Sequence, residues 1–498
     1  MMTSPHWFYE SSRRTDNLST QVLYRPALNL KLPSGATFPH NHAMEARAFA
    51  EQVCRSLRSK GFQAFLVGGC VRDILLDREP ADYDVASDAT PEQVEAIFPG
   101  SLTVGANFGV VIVQEDTSAS PLECRQQVEV ATFRCDVGYT DGRHPDRVEY
   151  TKSPQEDVKR RDFTINGMLF DPGTDAVLDF VGGREDLRAG IIRAIGDPVT
   201  RFREDKLRML RAVRFAARFA YAIEPSAMQA IQNLALEISQ VSKERLRDEL
   251  TKILTEGAAR RGFELLDETG LLVHLLPEVA RMKGVDQPPQ FHPEGDVWIH
   301  TLMMIEGLNA GSPPTLAWGV LLHDVGKPPT FAPPAGPSGR IRFDRHVEVG
   351  VKMAEEICRR FRFSNEDTEQ ILALVANHMR FKDVPQMKPA TLKRFVRMEN
   401  FDEHLELHRL DSLSSHRKLD NYDLVTQFID KTPPEEVRPA RLLTGDDLIA
   451  LGMKPGPAFK SIIYNVEEAQ LDGRVQTREE AIRLAIQLAG KHTGANNP

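Results

Sequence analysis

Residues 65–84 read FLVGGCVRDILLDREPADYD, and the order of residue types in this stretch decides how the rest of the chain is read. The apolar run Phe65-Leu66-Val67 stops abruptly at Gly68-Gly69, and a helical pattern (Val71, Ile74, Leu75) follows. A charged turn then leads to Asp82-Tyr83-Asp84-Val85. In a strand, side chains alternate between faces, so Asp82 and Asp84 are expected to point the same way. Two carboxylates so placed suit hard divalent cations such as Mg²⁺. The Gly-Gly turn lets backbone approach a phosphate and leads into a helix N-terminus, whose free N–H groups favour anions. Metal carboxylates beside a phosphate cradle predict phosphoryl or nucleotidyl transfer with two metal ions. Asp-x-Asp by itself would read as a solvated turn.

Around this centre, Phe49, Val53 and Leu57 recur at four-residue spacing in a helix expected over 44–60, which Gly61 stops. Residues 1–45 lack periodicity and read as an extended or disordered arm. A helix begins at Pro91, and strands are expected at 109–115 and 128–134. Glu129, in the second of these, reads equally as a third acid near the metals or as an ordinary exposed strand residue. Residues 136–150 (DVGYTDGRHPDRVEY) are polar and turn-rich and read as a mobile loop.

With Gly-Gly-x-x-Arg-Asp ahead of Asp-x-Asp, the opening stretch resembles the polymerase-beta-type nucleotidyltransferase signature. More narrowly, it resembles the family of CCA-adding tRNA nucleotidyltransferases and bacterial poly(A) polymerases. Arg160-Arg161-Asp162-Phe163-Thr164-Ile165-Asn166 looks like that family's second motif, although Gly167 stands where many relatives have Ala. Glu204-Asp205-x-x-Arg208 looks like its base-selecting motif. This motif lies in EDKLRMLRAVRFAARFAY (204–221), which is expected to be one helix with Leu207, Leu210, Val213 and Ala217 on one stripe and Arg208, Arg211, Arg214 and Arg218 on another.

The resemblance implies an α+β chain. A nucleotidyltransferase head with a small mixed β-sheet flanked by helices (46–185) would precede an all-α neck (186–285), an HD domain (286–430) and a helical tail (441–490), with a linker at 430–440. It implies Asp82 and Asp84 as catalytic Mg²⁺ ligands. Gly68, Gly69, Arg72, Asp73, Arg161, Asp162, Asn166 and Arg211 would form the nucleotide site, and Asp205 and Arg208 would select CTP and ATP. An Asp acceptor and an Arg donor held side by side can pair with the Watson–Crick edge of a base. The loop at 136–150 would help the switch from C to A addition, and tRNA would be the RNA partner. A poly(A) polymerase, or an enzyme adding only CC or only A, would share the head motifs.

From residue 286 the residue types change. His300, the adjacent pair His323-Asp324, and Asp411, all on helical segments, resemble the HD phosphohydrolase superfamily, whose His and carboxylate ligands suit a transition metal or Mg²⁺. His346 and His378 could extend that site to two metals. Isolated histidines are otherwise ordinary core or surface residues.

The totals set outer bounds. A chain of 498 residues calls for two to four domains. Its 41% hydrophobic and 27% charged residues are those of a globular protein without a membrane span. Five scattered cysteines, none in Cys-x-x-Cys spacing, predict a reduced, cytoplasmic setting. A net charge of −9 argues against a general nucleic-acid coat but leaves room for a local basic face. Arg380, Lys382, Lys388, Lys393, Arg394 and Arg397 form one candidate, which reads equally as a solvated helix face.

Overall fold

The structure, a computed structural model, describes residues 40–104, 109–115, 126–138, 146–336 and 339–494. The arm at 1–39 and the tip of the 136–150 segment lie outside the described residues.

The head is a seven-stranded mixed sheet. Its strands are β1 (Ala64–Val67), β2 (Asp84–Ser87), β3 (Leu102–Val104), β4 (Val110–Gln114) and β5 (Gln127–Thr132), followed, after a separate ribbon of β6 (Arg134–Val137) and β7 (Arg147–Tyr150), by β8 (Met168–Asp171) and β9 (Ala176–Asp179). The order across the sheet is β3-β4-β5-β2-β1-β8-β9. Only β2 and β5 pair in parallel, while the other neighbours are antiparallel. All four residues of β1 are buried because both faces of the sheet are covered. Leu66, Val85, Val128 and Val130 pack against Ala50, Val53 and Leu57 of helix His40–Ser59, the apolar stripe seen in the sequence. On the opposite face Phe65, Val67 and Ala86 lie under Phe133, Val158 and Ile195. Strand alternation therefore puts Asp84 on the face of Ala86.

Three expectations need correction. The strand holding the acids begins at Asp84, so Asp82 lies in the extended chain before it. The 136–150 segment is not a loop throughout, because its ends form the antiparallel β6–β7 ribbon. The presumed linker 430–440 contains a helical turn, Pro434–Val437, and Val437 packs against the cluster around Phe381 and Phe395.

Head, neck and HD region share one continuous hydrophobic core. It runs from Ala50 through Leu210 and Phe263 to Trp318 and Leu407. Trp318, fully buried, donates its indole N–H to Thr251 Oγ1 at 2.9 Å, which joins helix Pro314–Leu322 to the neck helix Lys243–Thr255. The tail has its own small core around Leu448, Ile462 and Val466. It is fastened to the rest by Arg394, which meets Tyr464 and Glu468, and by Arg397, which meets Glu467. These two arginines of the candidate basic face therefore hold the tail, and Lys393 pairs with Glu436. Among the described residues no helix is long and apolar enough to cross a membrane.

Candidate active site

Three carboxylates meet at the end of β2. Asp84 and Glu129 are direct partners in the parallel register of β2 and β5, so their side chains leave the same face. Asp82 lies exposed two residues ahead. Burial, then the charges of Asp82 and Glu129, push the Asp84 carboxyl up to about 6, and Arg161 offsets this only in part. Carboxylates that raise one another's charge cost in this way fit a divalent cation, which would neutralise them. Gly68 supplies the open floor beside them. Its φ of +81° excludes most side chains, and a Cβ there would stand 3.5 Å from Arg161 Nη1 and 4.0 Å from Asp84 Oδ2.

Arg161 is aimed at this floor by Asp157. That buried carboxylate accepts from Arg161 Nη2 at 3.0 Å, from Arg160 Nε at 2.9 Å and from the backbone N–H of Arg134 at the base of the ribbon. The helix Pro154–Lys159, capped by Ser153, positions Asp157.

The remaining motif residues form a chain of hydrogen bonds. Arg72 donates to both carboxylate oxygens of Asp73, at 2.8 and 2.9 Å, and to Asn166 Oδ1 at 2.8 Å. Asn166 Nδ2 donates to Asp162, which also receives Arg211 Nε and Nη2 at 2.9 and 2.6 Å. Arg72 is 4% exposed, and its guanidinium lies over the Phe219 ring. Arg72, expected at the triphosphate, gives three hydrogen bonds inside the protein and locks the helix after the Gly-Gly turn to the second motif. Gly69 begins helix Gly69–Leu75. Burial alone would raise the Asp162 carboxyl, but Arg211 overcomes it and holds the group at about 2.

The segment expected to select the base is not one helix. Helix Pro198–Glu204 ends at Asp205, which is extended (φ −144°, ψ 106°), and a second helix spans Leu207–Phe219. Asp205 Oδ1 accepts the Leu207 N–H at 3.1 Å, a side-chain cap that competes with helix continuation. Arg245 of the neck helix donates to both oxygens of Asp205, at 3.1 and 2.7 Å. Arg208 donates to Glu204 at 2.7 Å and to the Arg160 carbonyl at 3.1 Å. The break takes Asp205 off the helix that carries Arg208: Arg208 reaches the second motif, while Asp205 is held by Arg245.

The C-terminal centre gathers His300, His323, Asp324 and Asp411, as expected, together with His346 and His378. His300 stands between Asp411 (3.2 Å) and Glu294 (2.7 Å). Burial opposes its charge, but these carboxylates lift it to about 9. Three overlapping groups could hold a metal: His292, Glu294 and His300; His300, His323 and Asp324; and Asp324, His346 and His378. The cluster floors a cavity of about 790 Å³ with Lys327, Arg342 and Lys382 on its walls.

The sequence reading passed over Asp157, Arg245, His292, Glu294 and Lys327. His292-x-Glu294 sits in the turn-rich FHPEGD just ahead of His300, and that position was the available signal. Arg245 carried none, since its partner Asp205 is forty residues away, whereas Asp157 stands three and four residues before Arg160 and Arg161, a spacing readable as a helical ion pair.

Residues 64–193 match the family model described as "Poly A polymerase head domain". Residues 220–283 match "Probable RNA and SrmB- binding site of polymerase A", and 296–432 match "HD domain". The chain is 41% identical over 258 residues to the CCA-adding enzyme of Bacillus licheniformis, covering 51% of this chain and 63% of that protein, less than two thirds of its length. It is 28% identical over 445 residues to the CCA-adding enzyme of Bacillus cereus (strain AH820), covering 89% and 99%. The solved structure of the Bacillus stearothermophilus CCA-adding enzyme in complex with CTP aligns with a TM-score of 0.66 at 25% identity, over 90% of this chain and 99% of that one.

Proposed function

We propose, for a chain that belongs to the family of CCA-adding tRNA nucleotidyltransferases and bacterial poly(A) polymerases and carries an HD domain, that its head adds C, C and A to the 3′ end of tRNA. The observation that carries this reading is the direct tie between the base-selecting segment and the phosphate-binding segment. Arg208 bonds the Arg160 carbonyl and Arg211 bonds Asp162, so the groups that would read the base are fixed against those that would hold the triphosphate.

Asp205 offers acceptors and Arg208 donors to the Watson–Crick edge of CTP or ATP, replacing a template strand. Glu204 holds Arg208 and Arg201 at 2.7 and 2.8 Å and sets the donor's direction. Arg161, beside Gly68, would take the triphosphate oxygens. Asp82, Asp84 and Glu129 would hold Mg²⁺, which when bound supplies Lewis-acid activation of the tRNA 3′-hydroxyl and charge neutralisation on the leaving pyrophosphate. The tRNA acceptor stem would be read by shape and backbone, as RNA duplexes are. A cytoplasmic setting goes with this reading.

Substitution separates the two sites. Asp82→Ala with Asp84→Ala should abolish nucleotide incorporation, whereas His323→Ala with Asp324→Ala should leave it. The opposite pattern would contradict the assignment and make the head a binding module.

A second reading concerns the HD region. A histidine and carboxylate cluster flooring a cavity with lysine and arginine walls favours hydrolysis of a phosphoester at a divalent metal.

A further inference from the structure

We propose that Asp157 is a positioning residue that holds the triphosphate end and the base end of the head's nucleotide site to each other and to the β6–β7 ribbon. The inference rests on the nucleotidyl-transfer reading of the head and deepens it. Asp157 acts through two neighbouring arginines and is not itself a catalytic residue.

The Asp157 side chain is buried, at 1% exposure, and its two oxygens have different partners. Oδ1 accepts from Arg160 Nε at 2.9 Å and from the backbone N–H of Arg134, the first residue of β6, at 3.3 Å. Oδ2 accepts from Arg161 Nη2 at 3.0 Å. Burial works against the charge, but Arg161 and Arg160 outweigh it and hold the carboxyl below its ordinary range.

Each arginine serves a different end of the site. Arg161 Nη1 stands 3.5 Å from where a Cβ on Gly68 would lie. Among the described residues, Arg161 Nε is buried without a hydrogen-bond partner. A guanidinium anchored through one nitrogen, with unspent donors beside an open glycine floor, is set for phosphate oxygens. Arg160 works through its backbone. Asp157 pins its side chain, while its carbonyl accepts from Arg208 Nη2 at 3.1 Å. A displacement of Asp157 therefore moves the phosphate donor and the base-reading donor together. The ribbon is tied to the same carboxylate oxygen as Arg160, so movement at its base reaches both ends at once. Glu156, the preceding residue, holds the end of the other ribbon strand from the surface by accepting from Thr151 Oγ1.

The test is steady-state incorporation on the full chain with Asp157→Asn, Asp157→Ala and the control Glu156→Gln. An Asn amide has one oxygen. With that oxygen kept for the two donors at the Oδ1 side, its NH₂ would face Arg161 Nη2 and release that arginine alone. Asp157→Asn should raise KM for CTP and ATP roughly tenfold, the scale of one charged contact, with a smaller change in kcat and discrimination among the four triphosphates kept. Asp157→Ala frees Arg160 as well and should add misincorporation of UTP and GTP. Glu156→Gln should keep the parent's KM and discrimination. Unchanged KM in Asp157→Asn, with a lowered Tm alone, would overturn the inference whether or not Asp157→Ala folds. An equal rise in Glu156→Gln would also overturn it, since general loosening of the helix would then explain both. Calorimetric titration with CTP and ATP separates the inference from the CCA reading. Weaker binding in Asp157→Asn, with a parent protein that adds a long A tail, would keep the inference and remove that reading.

Discussion

Arg245 grips both carboxylate oxygens of Asp205, at 3.1 and 2.7 Å, across forty residues of sequence. The residue assigned to base selection is therefore not free: a neck arginine fixes its acceptors. Arg245→Ala should release Asp205 and raise KM for CTP and ATP roughly tenfold, the scale of one bidentate charged contact, with a smaller change in kcat. Misincorporation of UTP and GTP should rise with it. Single-nucleotide incorporation with each of the four triphosphates checks this, and unchanged discrimination would make Arg245 a purely structural residue.

Glu129 and Asp84 make a second pair with separable consequences. Asp84→Ala should lower incorporation by about 10³-fold or more, the loss expected when several kcal/mol of charge stabilisation disappears. Glu129→Gln should cost about 10–100-fold in Mg²⁺ affinity or rate. It should also lower the Asp84 pKa, because one of its raising charges is gone. Magnesium titration of activity distinguishes the two variants.

The strand–turn–helix at 64–75 was legible because an apolar run, a Gly-Gly stop and a 3.6-residue period each appear in order along the chain. The break at Asp205-Lys206 was not, because the stripe of Leu207, Leu210 and Val213 lies wholly after it and does not mark where its helix begins. Only the Asp205 side chain bonding the Leu207 N–H reveals the interruption. The basic run at 380–397 was left open for a related reason. Arg397 finds Glu467 seventy residues away, and no local pattern announces such a partner. The His-Asp pair was readable, whereas the bond from Lys327 to Gln287, forty residues apart, is made only by the fold.

Acid stability should report the Asp162–Arg211 pair. The Asp162 carboxyl is held at about 2 in the folded chain against an ordinary 3.8, so its contribution is complete above the ordinary value and is lost as pH falls from about 4 toward 2. Asp162→Asn should cost about 2 kcal/mol at pH 7 and less as pH falls through that window. Urea unfolding at several pH values measures both.

Trp318 joins neck and HD helices with its ring fully buried and its N–H on Thr251. Trp318→Ala should cost about 3–5 kcal/mol through the cavity it leaves. Thr251→Val should cost about 1–3 kcal/mol by stranding the buried N–H. Because the core is continuous, thermal unfolding followed by circular dichroism should show both changes lowering one shared transition.

The central claim is sequential CCA addition by the head. It is tested most directly by single-turnover incorporation on tRNA transcripts ending before CCA, at C and at CC, each with CTP, ATP or both and Mg²⁺. The account predicts C before A and a stop after the terminal A. A long A tail from ATP alone, or a halt at CC with ATP present, would contradict it.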